Sequence, residues 1–244
     1  MKIIQIPAEN GLGKTKGTNL APKILSENLK SIEIKINNKE IDKQQKIIFQ
    51  ESLKILKSNK QTLFIGGDHS ISYPLVRAFL KHCHSQKTPQ EPFLIVFDAH
   101  PDCMPPMKEP THEEWLSAII EEGFPTKNII LIGIRKVEPE EKKFLKKHKI
   151  KIMKLKQIEK LIKLAQNKTC YLSFDIDSLD PSLVSATGYP EPKGLQKTDT
   201  LHALKKIKEN TNLKAIDLVE INPTLLNSKK TINLAIEILD LLNN

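Results

Sequence analysis

The segment Asp98-Ala99-His100-Pro101-Asp102 sets two carboxylates around an imidazole at spacings of two. Two other segments have the same character, Gly66-Gly67-Asp68-His69-Ser70 and Asp175-Ile176-Asp177. On an extended backbone, residues two apart project to one side, so Asp98, His100 and Asp102 share a face, as do Asp175 and Asp177. Carboxylates gathered in this way repel one another and titrate upward unless a cation lies among them. The set His69, Asp98, His100, Asp102, Asp175 and Asp177 contains imidazoles and carboxylates but no thiolate. Such donors suit a hard or borderline divalent ion such as Mn²⁺ better than a structural zinc. Six ligands are enough for two ions that share bridging carboxylates. One such segment alone would read as a turn or a cap; three together read as a metal centre. Asp68 and Asp180 are expected to act as turn acids that orient backbone or ligands. Gly66 and Gly67 read as a sharp turn, because no Gly-Lys-Ser/Thr continuation of a phosphate loop follows them. Cys103 reads as a small buried thiol.

Each of these segments directly follows a short apolar run, and those runs must position them. Strands are expected over residues 3–6, 62–65, 93–97, 128–132, 149–153, 169–174 and 213–219. Several are nearly continuous in Ile, Leu, Val and Phe, the pattern of a parallel strand covered on both faces. Helical spacing marks apolar stripes at Ile47, Ile48, Leu53 and Leu56 within residues 44–57, and at Leu116, Ile119 and Ile120. Further stripes lie at Phe144 and Leu145, at Leu201, Leu204 and Ile207, and along residues 232–242. Pro22 suits the first turn of a helix that follows Leu20. Residues 101–110 are Pro-rich and read as a loop. The alternation predicts a single α/β domain over residues 1–244 with a parallel sheet. Ligands of open parallel sheets bind at the C-terminal strand ends, so segments distant in the chain converge there on one site.

The formal charge of +9 invites a polyanion partner, but Arg77 and Arg135 are the only arginines. Bidentate recognition of phosphate or guanine favours guanidinium, and scattered lysine mostly makes a solvated surface. Aromatic residues at 5% are too few for a base-stacking platform. No nucleic-acid partner is expected. The three cysteines, Cys83, Cys103 and Cys170, form no Cys-x-x-Cys pair and point to a reducing, cytoplasmic setting. No apolar run approaches the roughly 18 residues of a membrane span, and the apolar start of the chain breaks before a signal-peptide core could form.

GGDHS, DAHPD and SFDIDSLDP resemble the three signature motifs of the ureohydrolases, the family of arginase, agmatinase and their relatives. Gly-Thr-Asn-Leu-Ala-Pro at residues 17–22 and Val219-Glu220-Ile221-Asn222-Pro223 resemble two further segments of that family, and all occur in family order. The resemblance implies an arginase-like three-layer α/β/α fold around a central, mostly parallel sheet. It also implies two Mn²⁺ per chain, hydrolysis of a guanidino group to urea and an amine, and a trimer or hexamer. It assigns the metal ligands to His69, Asp98, His100, Asp102, Asp175 and Asp177, the guanidinium partner to Glu220 and the proton shuttle to His112. In the mechanism so implied, two metals acidify a water that attacks the guanidinium carbon while Glu220 orients the substrate. Asp102 delivers a proton to the leaving amine and His112 exchanges protons with solvent. Glu113 stands where the family has glycine after that histidine, and Thr111 offers a different role, a helix cap that would put His112 at the surface.

Met104 stands where arginases place an amide that grips the substrate, and Tyr189 replaces a smaller residue near the substrate. Both departures favour a cationic guanidine without a carboxylate, such as agmatine. Lys108, Lys136 and Lys193 could bind a carboxylate and so keep arginine or another guanidino acid open as substrate. Formimino hydrolysis on the same fold and a non-catalytic metal-binding regulator stay open as well.

Overall fold

The structure, a computed structural model, describes residues 1–10 and 13–243. Eight strands, β1 (Lys2–Ile6), β2 (Ser31–Glu33), β3 (Thr62–Gly66), β4 (Pro92–Phe97), β5 (Ile129–Ile132), β6 (Lys151–Met153), β7 (Thr169–Asp175) and β8 (Asn212–Val219), form one sheet. Its order is β2-β1-β3-β8-β7-β4-β5-β6. Every pairing is parallel, so the sheet is more uniform than the mostly parallel one expected. The helices are α1 (Ala21–Leu25), α2 (Ile41–Ser58), α3 (Ser72–His84), α4 (Trp115–Glu121), α5 (Pro139–His148), α6 (Ile158–Ala165), α7 (Lys197–Asn210) and α8 (Ser228–Asn243).

Strand alternation divides the core in two. Leu63 and Ile65 of β3 pack with Phe93, Ile95 and Phe97 of β4 on the face covered by α1, α6, α7 and α8. Phe64, Leu94 and Val96 point the other way, into side chains from α2, α3, α4 and α5. Burial on both faces is why β3, β4, β5 and β7 are buried at every position, and why they read as unbroken apolar runs. The result is the expected three-layer α/β/α arrangement.

Departures from the sequence expectations have local causes. β2 has no counterpart among the expected strands: it is a three-residue edge strand with two exposed residues, too short and polar to leave a pattern. Neither α3 nor α6 is marked by the apolar stripes, although both bury an apolar face. β6 starts later than expected because Lys149 ends α5 at φ +53. Pro22 does sit in the first turn of α1, and residues 101–110 are irregular as expected.

Candidate metal centre and active site

The four central strands, β3, β8, β7 and β4, deliver the candidate residues from their C-terminal ends. The local device differs from the one expected. Residues 98–102 are irregular rather than extended, and Ile176–Ser178 is a 3₁₀ turn, so alternation is not what brings the pairs together. Instead an aspartate at or just beyond the end of β3, β4 and β7 folds back on the chain. Asp98 accepts the His100 N–H at 2.7 Å, Asp175 the Asp177 N–H at 2.7 Å and Asp68 the Ser70 N–H at 3.2 Å. Such Asx turns replace ladder bonds where the strand stops. Gly67 is dictated by a close approach, since a Cβ there would lie 1.8 Å from the Ala8 carbonyl oxygen. Asp102 and Glu220 adopt positive φ, +50 and +66.

Two clusters of potential ligand atoms result, His69–Asp98–Asp102 and Asp98–His100–Asp177, with Asp98 common to both. His69 Nδ1 lies 3.2 Å from Asp98 Oδ2, 3.0 Å from Asp102 Oδ2 and 3.1 Å from Asp175 Oδ2. His100 Nδ1 lies 3.0 Å from Asp177 Oδ2 and 3.5 Å from Asp98 Oδ1. Burial opposes charge on His69, but the carboxylates of Asp102, Asp175 and Asp98 outweigh it and raise its pKa well above the usual value. His100 is likewise desolvated, yet Asp177 and Asp98 push it up to about 12. Burial, then repulsion from Asp98, raises Asp102 to about 8. Burial raises Asp177 as well, with Asp98 adding to it, and raises Asp175 with Asp177 and Asp98 adding to it. Asp98 is the exception: burial works against its charge, but His100 and His69 hold it below the ordinary range.

This donor set fits divalent cations. His69 Nδ1 and Asp98 Oδ2 are buried and make no hydrogen bond among the described residues, although carboxylate and imidazole atoms crowd around them. Oxygen and nitrogen lone pairs that converge without satisfying one another are what a cation needs. The acids pushed upward by their neighbours gain by the same exchange.

A cavity of about 230 Å³ opens over these side chains, with His69, His100, Asp102, Asp175 and Asp177 in its lining and Asp98 buried beneath. Glu220, following β8, completes the inner end. Its Oε1 accepts the His69 N–H at 2.7 Å, and its buried Oε2 has no hydrogen-bond partner among the described residues. Burial, then the charge of Asp68, lifts its carboxyl well above the usual range. His112 is 7% exposed, so it is no surface residue at a helix start; Glu114 Oε2 instead accepts the Thr111 N–H and hydroxyl. The His112 ring stacks on Tyr189 with centroids 5.3 Å apart, and both line the cavity. Burial, then the His69 and His100 charges, pull His112 down to about 4. Met104, Lys136, Glu113, Glu138 and Glu191 form the outer part. Lys136 is paired with Glu138 at 3.0 Å and Lys108 with Glu109 at 3.0 Å.

The Arginase family profile matches residues 15–242. The chain belongs to the arginase family. Arginase, non-hepatic 2 of Xenopus laevis is 29% identical over 229 residues, covering 80% of this chain and 62% of that protein. N(1)-aminopropylagmatine ureohydrolase of Thermus thermophilus is 29% identical over 190 residues, 75% of this chain and 62% of its own length. The match thus spans less than two thirds of either relative. The crystal structure of arginase from Bacillus subtilis superposes with a TM-score of 0.85 at 22% identity, covering 99% of this chain and 97% of that one. Within this arginase-family chain the two His/Asp clusters form a candidate metal site.

Other residues of this arginase-family chain serve the site without standing out in the sequence. Asp217 of β8 is fully buried and accepts hydroxyl hydrogens from Ser72, Tyr171 and Ser173 at 2.7–2.8 Å. Ser173 Oγ in turn lies 2.9 Å from His69 Nε2. With Ser173 donating to Asp217, it accepts from His69 Nε2–H, which leaves Nδ1 facing the carboxylates, where a cation can take the place of its proton. A carboxylate inside the apolar run at residues 215–219 was the available signal, because a buried charge needs partners. Arg135 reaches the backbone oxygens of Gly133, Asp177, Ser178, Leu179, Glu191 and Pro192 at 2.7–3.3 Å. Asp68 and Asp180 act at turns as expected: Asp68 also accepts from Asn10 N at 2.7 Å, and Asp180 from Ser182 and Gly194. Cys103 is buried, its thiol pushed well up by burial.

Proposed function

We propose that this chain hydrolyses a guanidino compound without a carboxylate, agmatine being the type, to urea and an amine. The observation that carries the reading is Glu220 Oε2, a buried carboxylate oxygen without a hydrogen-bond partner among the described residues, on a side chain that lines the cavity beside His69. A cationic group bound there would favour the charged carboxylate over the protonated form that burial otherwise imposes. His69, Asp98 and Asp102, with Asp175 beside them, would hold one Mn²⁺, and Asp98, His100 and Asp177 a second. When bound, the two cations supply a water acidic enough to serve as nucleophile near neutral pH. Glu220 holds the guanidinium by a charge-assisted hydrogen bond and fixes its orientation. Asp102 passes a proton to the leaving amine, and His112, neutral at pH 7, takes up and returns protons at the mouth. Tyr189 packs on His112 and walls the substrate's path.

The outer cavity supports a substrate with no carboxylate. Met104 offers no donor there, and Glu138 neutralises the one lining lysine, Lys136. Residues 1–244 would act as one domain in the cytosol, assembled as a trimer or hexamer. The test is urea release by Mn²⁺-loaded protein from agmatine, arginine and guanidino acids, together with metal analysis. Two Mn²⁺ per chain and a preference for agmatine are expected. No product from any guanidine, or less than one bound metal, overturns the enzymatic reading; preference for arginine overturns the agmatine assignment. Asp98→Asn should abolish turnover while unfolding stays cooperative.

A further inference from the structure

The chain has a single tryptophan, Trp115, and it is fully buried against the metal centre. Its indole Nε1–H donates to Asp102 Oδ2 at 2.7 Å. That same oxygen lies 3.0 Å from His69 Nδ1, and the indole and imidazole rings sit 4.9 Å apart at 40°. The segment around it is tied to the Asp102 loop: Leu116 N–H and Ser117 N–H donate to the Asp102 carbonyl at 3.2 and 3.4 Å, and Ser117 Oγ donates to Met104 O at 2.6 Å. α4 therefore sets Trp115 at a fixed place relative to the backbone of Asp102.

The last torsion of an aspartate is broad and roughly two-fold, so nothing within the side chain decides which oxygen faces a ligand position. Asp102 also starts from a left-handed backbone that surrounding contacts must hold. The indole N–H settles the matter by anchoring Oδ2, and the ring packs at a tilt against the His69 imidazole. We propose that Trp115 is the positioning residue for one of the two cations, given the two-cation reading above: by fixing Asp102 Oδ2 beside His69 it sets the affinity of the His69–Asp98–Asp102 position. His100 and Asp177 have no contact of this kind with the indole among the described residues, so the indole holds no ligand of the second position directly.

Metal-free wild-type protein and Trp115→Phe, which keeps an aromatic ring but removes the donor, are titrated with Mn²⁺ by equilibrium dialysis. Partners of this kind typically contribute 10–100-fold to metal affinity. One of two binding steps is expected to weaken by about 10-fold or more in Trp115→Phe, with the other unchanged. Both steps unchanged, or both weakened alike, overturns the proposal, the second result being that of a merely structural ring. Should the variant not fold, the wild-type indole N–H resonance is followed by NMR as Zn²⁺ is added. A shift on one of the two steps supports the assignment, and a signal unmoved through both overturns it. Neither measurement involves turnover. Two-step binding lost selectively in Trp115→Phe stands even if no guanidine is hydrolysed, whereas fewer than two bound cations in wild type overturns this proposal and fewer than one removes both readings.

Discussion

Asp102 and Glu220, two residues with the most chemistry to offer, are held at φ +50 and +66. A non-glycine residue there costs on the order of 1–3 kcal/mol and persists only where its surroundings over-determine it. For Glu220 those surroundings are the bond from its N–H to the Gly67 carbonyl at 2.9 Å and the bond from His69 N–H to its carboxylate. Glu220→Gln separates the two duties of the side chain. The amide oxygen can still accept from His69, but no charge remains for a guanidinium. Losing one side of a desolvated charge pair costs about 2 kcal/mol or more, so kcat/KM for the guanidino substrate should fall at least about 30-fold. The unfolding midpoint of the metal-free protein should hold or rise, because a buried carboxylate has been neutralised. An unchanged kcat/KM would take Glu220 out of the substrate's contact.

At the scale of elements, the site depends on how loops after neighbouring strands are locked together. Arg135, in the loop after β5, spreads one guanidinium over carbonyls of the segment after β7, including Asp177 at 2.7 Å and Glu191 at 2.9 Å. A planar fork of donors does this and a lysine ammonium does not. Arg135→Lys is therefore expected to leave buried carbonyls unpaired, lower stability by roughly 1–3 kcal/mol, and weaken the cation step that uses Asp177. Chemical denaturation and Mn²⁺ dialysis read the two effects; wild-type values for both would show the clamp to be dispensable. The other arginine, Arg77, is similarly employed, paired with Glu122 at 2.6 Å and lying over Tyr73 and Phe49. Both arginines are thus committed to planar contacts, and the +9 charge is carried by the lysines around them.

For the whole molecule, the metal centre makes stability depend on pH with a definite sign. In metal-free protein His69 and His100 are raised above their ordinary value of about 6.5, and Asp102, Asp175, Asp177 and Glu220 are raised as well. Each raised group holds a proton in the folded state that the unfolded chain releases sooner, so each loses stability as pH climbs toward its folded value. His82 and His112, both lowered to about 4, act with the opposite sign but only below about 6.5. Between pH 6.5 and 8.5 the raised groups dominate. The melting midpoint of chelator-treated protein should fall across that interval, and the rise produced by Mn²⁺ should grow, because cations displace those protons. At a hundredfold excess over its dissociation constant, one cation adds about 2.7 kcal/mol. A chelator-treated midpoint that rises from pH 6.5 to 8.5 would contradict the electrostatics of the cluster. Among the described residues, no helix is long and apolar enough to cross a membrane.

The sequence by itself determined the α/β class and the strands that carry the site, because burial on both faces forces continuous apolar runs that need no partner to be recognised. It also determined the candidate ligands, since imidazoles and carboxylates directly after those runs have few other uses. What only the tertiary structure decided were the pairings that cross the chain. Asp217 meets Ser173 because β8 lies beside β7 in register, and Trp115 meets Asp102 because α4 is tied back to the β4 loop. The Asx turns, too, replaced the extended alternation inferred from spacing. Residue type and local period are written in the chain, whereas hydrogen-bond partners distant in sequence depend on strand order and on where each helix docks.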